Sequence, residues 1–131
     1  MDVAVTGSSG LIGTALVAAL RADGHQVTRL VRGGPAGDDT ISWDPRADGG
    51  GLDPGSLDGV AAVVHLAGAG VADRRWTESY KAEIRNSRVQ GTTALVSALT
   101  AMTNPPSVLL CGSAIGWYGA VSYTHLTLPT N

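Results

Sequence analysis

The sequence predicts an α/β fold: a doubly wound, mostly parallel sheet, incomplete at its C-terminus. Three observations carry that expectation. Short apolar runs without alternation, Val3–Val5, Val60–Leu66 and Val108–Cys111, have the pattern of strands buried on both faces. Between them lie stretches whose apolar residues recur at helical spacing. Their alternation along one chain of 131 residues argues for parallel strands joined by crossover helices around a single domain core.

Each element has its own signal. Met1–Thr6 reads as a buried strand. Leu11–Asp23 carries apolar residues at 11, 12, 15, 16, 19 and 20, which predicts a helix, and Gly24 ends it as a C-terminal cap. Gln26–Val31 predicts a second strand, followed by a polar, glycine-rich connection over Gly33–Asp39. Thr40–Trp43 predicts a short third strand, and Asp44–Asp58, dense in glycine and proline, a loop with one helical turn at most. Val60–Leu66 predicts the central strand. Asp73–Met102 reads as one long helix or two consecutive ones. Trp76, Tyr80 and Ile84 stand four apart there, and Val89, Val96 and Leu99 continue the apolar face. Asn104-Pro105-Pro106 stops the helix, and Val108–Cys111 predicts a last buried strand.

Composition removes several function classes. A net charge of −2 supplies no basic field for nucleic acid. No stretch approaches the roughly 20 apolar residues of a membrane span, and Val3–Val5 is too short for the core of a secretory signal. A single cysteine excludes an internal disulfide framework and fits a reducing, cytoplasmic setting. One cysteine and three scattered histidines make no metal-ligand set. There is no G-K-[ST] phosphate loop, which argues against nucleoside triphosphate hydrolysis.

The strongest chemical signal is Thr6-Gly7-Ser8-Ser9-Gly10-Leu11-Ile12-Gly13, a T-G-x-x-G-x-x-G turn between the first strand and the first helix. Gly7 permits a tight turn, Gly10 lets backbone N–H groups approach a diphosphate, and Gly13 lets the helix pack closely. The helix N-terminus adds unpaired N–H donors and the positive end of its dipole. This is the pattern of a Rossmann-like dinucleotide site; a plain strand-to-helix connection is the alternative. At the end of the second strand, where NAD-binding folds place a carboxylate on the ribose 2′-hydroxyl, the chain has Val31-Arg32. A guanidinium suits a 2′-phosphate, which favours NADP with NAD still open; a solvated loop arginine is the other reading. Ala67 and Gly68 end the fourth strand at the carboxyl edge, where small residues let a cofactor ribose lie against the backbone. His65 reads as a packed strand residue rather than an acid or base.

These residues, with Trp43-Asp44-Pro45, His65-Leu66-Ala67-Gly68, Arg75-Trp76-Thr77, Ser87-Arg88, Gly91-Thr92 and Ser113-Ala114-Ile115-Gly116-Trp117-Tyr118-Gly119, resemble the extended short-chain dehydrogenase/reductases. The likeness is to their atypical, epimerase-like 39U branch. The resemblance implies a nicotinamide-dependent oxidoreductase or epimerase acting on a small-molecule substrate. It implies that Asp44 contacts the adenine amino group, an Asx turn before Pro45 being the equal alternative. It also implies that Ser113 polarises a substrate oxygen, against the plainer role of a serine capping a strand end. The superfamily's Tyr-x-x-x-Lys acid/base pair is absent: Tyr80 is followed directly by Lys81, and neither Tyr118 nor Tyr123 has a lysine four residues on. That absence favours a second reading, a non-enzymatic NADP-binding module serving as a redox sensor or assembly partner. The resemblance covers residues 1–119. Residues 120–131 do not continue it and read as a foreign tail, so the expectation is the front portion of a longer pattern, with one sheet edge and an apolar face uncovered.

Overall fold

A computed structural model describes residues 1–34, 37–47 and 51–113. Five strands, β1 (Asp2–Thr6), β2 (Gln26–Val31), β3 (Thr40–Ser42), β4 (Ala62–His65) and β5 (Val108–Cys111), alternate with helices α1 (Leu11–Ala22) and α2 (Glu78–Ala101). One 3-10 turn, Pro54–Leu57, precedes β4. The strands form a single parallel sheet in the order β3-β2-β1-β4-β5. The chain runs outward from β1 to β3, then returns to the other side of β1. The order therefore reverses between β1 and β4, and in such sheets ligands lie beyond the carboxyl ends of the strands at that reversal.

Burial on both faces explains the unbroken apolar runs. Val3 and Val5 of β1 face one way, with Val27, Ala62 and, from α1, Val17, Leu16 and Leu20. Ala4 faces the other way, with Leu30, Trp43, Val63 and, from α2, Ala94, Leu95, Ala98 and Leu99. The sheet is thus covered by α1 on one side and α2 on the other, the Rossmann-like arrangement expected.

The helices turn differently from the simplest reading of their apolar residues. In α1 the inward stripe is Gly13, Leu16, Val17 and Leu20, while Leu11 and Ile12 are exposed. In α2 the inward stripe is Tyr80, Gly91, Ala94, Leu95, Ala98 and Leu99, and the expected Val89 and Val96 face solvent. Small residues win the contact because they let helix and sheet backbones approach. The second helix also starts five residues later than Asp73. Thr77 Oγ1 accepts the Tyr80 N–H at 3.2 Å and caps it, and Trp76 is left outside, its Nε1–H donating to the Val71 carbonyl at 2.6 Å.

Gly24 ends α1 as expected. With φ at +81°, it donates to the Arg21 carbonyl at 3.0 Å while His25 donates to the Leu20 carbonyl at 2.9 Å, the paired bonds of a Schellman cap. Arg29, unusual inside a strand, reaches Asp39 at 3.2 Å, and Arg21 reaches the same carboxylate at 2.5 Å. The hydrogen bonds from Arg29 and then Arg21 hold the Asp39 carboxyl below its ordinary pKa.

The last strand also departs from expectation. Val108, Leu109 and Leu110 of β5 are exposed rather than buried. Among the described residues β5 pairs only with β4 and joins neither core cluster. Val108–Cys111 thus forms a strand in the expected place, but as an edge. The expected tail, residues 120–131, and the motif around Tyr118 lie outside the described residues. No described helix is long and apolar enough to cross a membrane.

Candidate functional site

Four loops converge beyond the carboxyl ends of β1 to β4 and enclose a cleft of about 820 Å³. The loop after β1 contributes Gly7, Ser8, Ser9 and Gly10; the end of β2 contributes Val31, Arg32 and Gly33. Ser42, Trp43, Asp44 and Arg46 line it after β3, and Leu66, Ala67 and Gly68 after β4. The size is that of a small-molecule or cofactor site, and it sits at the reversal of strand order.

The glycine turn is fixed by sterics that differ at each glycine. Gly7 has φ at +68°, and a Cβ there would lie 2.7 Å from the Leu66 carbonyl and 2.8 Å from Ala67 N. The turn therefore presses against the backbone that follows β4, and only glycine fits. A Cβ on Gly13 would lie 2.1 Å from Gly7 O and 2.8 Å from Ser8 Cα. Gly13 thus lets the first turn of α1 sit against the glycine turn. Gly10 is unlike both: its Cβ would meet nothing closer than Gly7 O at 3.4 Å, so the fold leaves this position free for a bound group. Its N–H donates to Gly7 O at 3.1 Å. As the N-cap of α1, it is followed by Leu11, Ile12 and Gly13, whose N–H groups have no carbonyl partner within the helix.

Thr6 plays a different part from the cofactor contact expected of it. It is fully buried, and its Oγ1 accepts the Leu66 N–H at 3.1 Å and the Ala67 N–H at 3.2 Å. It lies 2.7 Å from His65 Nδ1. The residue ties the end of β1 to the turn after β4 and does not line the cleft. Leu11, Ile12 and Gly13 likewise stay outside the lining; Leu11 and Ile12 expose their side chains, so what they offer is backbone.

Arg32 lines the cleft as expected. Arg46 stands with it, a residue the sequence reading passed over because it lies in the loop after β3 rather than at the end of β2. Its position follows from the Asx turn at Asp44: the Arg46 N–H donates to Asp44 Oδ1 at 3.0 Å, and the Ala47 N–H to Asp44 O at 3.0 Å. Both readings of Asp44 therefore survive, since it forms the turn and lines the cleft. Arg46 has an ion pair with Glu83 at 3.9 Å, long and exposed, and weak for that reason.

The turn after β4 is anchored from α2. Ser87 Oγ accepts the Ala69 N–H at 3.0 Å, and Arg88 Nη1 donates to the Ala69 and Ile84 carbonyls, each at 3.0 Å. Arg88 packs over Gly68, where a Cβ would come within 3.2 Å of its Cζ. Ser113 is exposed just past β5, two residues from Cys111, the register partner of His65. It stands at the carboxyl edge of the sheet but does not line the cleft.

A positive-φ glycine turn leading into a helix N-terminus, with two guanidinium groups and small residues around a cleft at the strand reversal, is an arrangement that suits a dinucleotide. Comparison with known proteins agrees in class. The chain belongs to the NAD dependent epimerase/dehydratase family, which it matches over residues 3–131. It is 44% identical over 117 residues to an epimerase family protein of Mycobacterium bovis and 36% identical over 120 residues to the human epimerase family protein SDR39U1. These matches cover 89% and 90% of the chain and 38% of each relative, so the chain spans well under half their length. The crystal structure of human SDR39U1 with NADPH superposes with a TM-score of 0.72 at 31% identity, over 90% of this chain and 38% of that one. A nucleoside-diphosphate sugar epimerase from Corynebacterium glutamicum gives 0.71 at 38% identity, over 91% and 24%.

Proposed function

We propose that this chain is the cofactor-binding portion of an NADP-dependent oxidoreductase or epimerase that acts on a small-molecule substrate. The observation that carries the choice of NADP is the pair Arg32 and Arg46 on one cleft, with no carboxylate at the end of β2. The backbone of residues 7–10 and the first turn of α1 hold the diphosphate. The two arginines clamp the 2′-phosphate. Trp43 and Asp44 flank the adenine, and Ala67 and Gly68 admit the ribose. When bound, the nicotinamide supplies or accepts a hydride. Ser113 polarises a substrate oxygen at the carboxyl edge. The free, exposed Cys111 suits a reducing, cytoplasmic setting.

The test is a comparison of NADPH and NADH affinities by titration calorimetry. The parent binds NADPH at least about tenfold more tightly than NADH. Arg32→Ala and Arg46→Ala each remove about tenfold of NADPH affinity, the scale of one charge-assisted hydrogen bond at a partly solvated site, and leave NADH unchanged. Equal affinities in the parent would discard the assignment. Because no tyrosine has a lysine four residues on, cofactor binding without turnover is the second reading. Stopped-flow hydride transfer across carbonyl and sugar-nucleotide substrates separates the two.

A further inference from the structure

Counting donors and acceptors around His65 gives more than its burial alone. The Thr6 hydroxyl oxygen has two lone pairs and one hydrogen. The N–H groups of Leu66 and Ala67, at 3.1 and 3.2 Å, take the lone pairs, the Leu66 N–H being shared with the Thr6 carbonyl at 3.3 Å. The one remaining hydrogen points to His65 Nδ1 at 2.7 Å, so Nδ1 accepts. The ring proton then sits on Nε2, facing Thr92 Oγ1 at 3.3 Å. The ring stands edge-on to Trp43 at 6.3 Å and packs beside Gly91 of α2.

We infer that His65 is a positioning residue: its neutral, Nε2-protonated form, held between Thr6 and Thr92, keeps the cofactor-facing turns after β1 and β4 in place. This rests on the cofactor reading above. A second proton would put an N–H on Nδ1, opposite an oxygen with no lone pair to offer. Either the Ala67 N–H loses its acceptor, while Leu66 falls back on the Thr6 carbonyl at 3.3 Å, or the ring swings out, and Leu66 and Ala67 both line the cleft. Nothing charged among the described residues compensates. From β1 the ring meets Thr6, after β3 Trp43, and from α2 Gly91 and Thr92. The titratable group beside it in the sheet is Cys111 of β5. Burial alone lowers the pKa of His65, in keeping with a ring that the site holds neutral.

The experiment measures NADPH affinity of the full chain from about pH 8 to about pH 5, for the parent, His65→Asn and His65→Leu. Asparagine keeps an oxygen that accepts from Thr6 and does not titrate in this range. The 2′-phosphate titrates identically in all three, so differences between proteins isolate residue 65. Between the ends of that range the parent loses about tenfold more affinity than His65→Asn, and His65→Leu is about tenfold weaker throughout. Imidazole nitrogen shifts in 15N spectra, with the His65 signals found by their loss in His65→Asn, show the Nε2–H form at neutral pH. Parallel pH profiles for the parent and His65→Asn, or an Nδ1–H ring, overturn the inference. No NADPH binding by the parent at any pH overturns instead the cofactor reading on which it rests.

Discussion

Gly13→Ala separates tertiary contact from helix propensity by the sign of its effect. Gly13 is the third residue of α1 and its φ is not positive, so propensity alone predicts that alanine stabilises the chain by about 1 kcal/mol. The structure predicts the opposite. The new Cβ would lie 2.1 Å from Gly7 O, 2.8 Å from Ser8 Cα and 2.9 Å from Gly7 C. Non-bonded carbons settle at about 3.5–4.0 Å, so turn and helix must part by roughly 1 Å or more. All three obstructing atoms are backbone, and no rotamer change relieves them. Overpacking costs about 1–3 kcal/mol, with a rigid obstacle at the upper end. Subtracting the propensity gain leaves a net loss of about 2 kcal/mol, or about 6 °C in Tm for a domain of this size.

Three further alanines calibrate that value. Gly24 has φ at +81° with nothing near its Cβ, so Gly24→Ala costs only the left-handed conformation, about 1–2 kcal/mol. Gly7→Ala adds contacts of 2.7 Å to the same conformational cost and is the worst of the set. Gly10→Ala, with its nearest contact at 3.4 Å, stays within about 1 kcal/mol. Urea unfolding followed by tryptophan fluorescence, at unchanged m, measures all four. A Gly13→Ala chain as stable as its parent would mean that α1 does not sit on the Gly7–Ser8 turn. The diphosphate cradle derived from that contact would then fall.

Two other outcomes are expected. Thr6→Val keeps the shape but strips the acceptor from the Ala67 N–H and the donor from His65 Nδ1. It should cost about 2–4 kcal/mol in the same unfolding assay, with most of that recovered in Thr6→Ser. Burial makes folded His65 titrate below the ordinary imidazole value of 6.5, so between the two pKa values the unfolded chain binds more protons. Its contribution is complete above about pH 6.5 and lost as pH falls from there to the folded pKa, with a slope of at most about 1.4 kcal/mol per pH unit. His65→Asn should lack that limb. Asp39, also lowered but from 3.8, acts in a separate window: its contribution holds above about that pH and is lost as pH falls through its folded pKa. A single shared acid transition, unchanged in His65→Asn, would contradict the assignment to His65.

The parts that were legible in the sequence are those where backbone geometry dictates residue type. Gly7, Gly13 and Gly24 each stand where a left-handed φ or a backbone contact admits no Cβ. Strands buried on both faces, such as β1, announce themselves as unbroken apolar runs, although the exposed β5 carries the same pattern. Helix facing was harder to read. Ranking residues by hydrophobicity picks out Leu11, Ile12, Val89 and Val96 along with Leu16, Leu20 and Leu99, whereas the interface combines the last three, Val17 and Leu95 with small residues such as Gly13, Ala94 and Ala98. Trp76 has the spacing of a helix face but falls before the Thr77 cap. Arg46 carries no motif of its own and enters the cleft only because the Asx turn at Asp44 aims it there. The pairing of Thr6 with His65, 59 residues apart, needs the parallel β1–β4 register and is invisible to local pattern.

These differences have a common cause. The glycine-turn end of the cleft is held by buried groups: Thr6 at the end of β1 fixes two amides beyond β4, and Gly7 fits the space between. Each of the bonds that hold that end is internal to the fold. The end that the proposed function gives to a 2′-phosphate is lined by Arg32 and Arg46, both exposed and both on loops. Replacing them should shift cofactor choice with little effect on stability, as surface substitutions generally do. Replacing Thr6 or Gly7 should damage stability and binding together. If Arg32→Ala destabilised the chain as much as Thr6→Val, this division between a rigid cradle and an adjustable selector would be wrong.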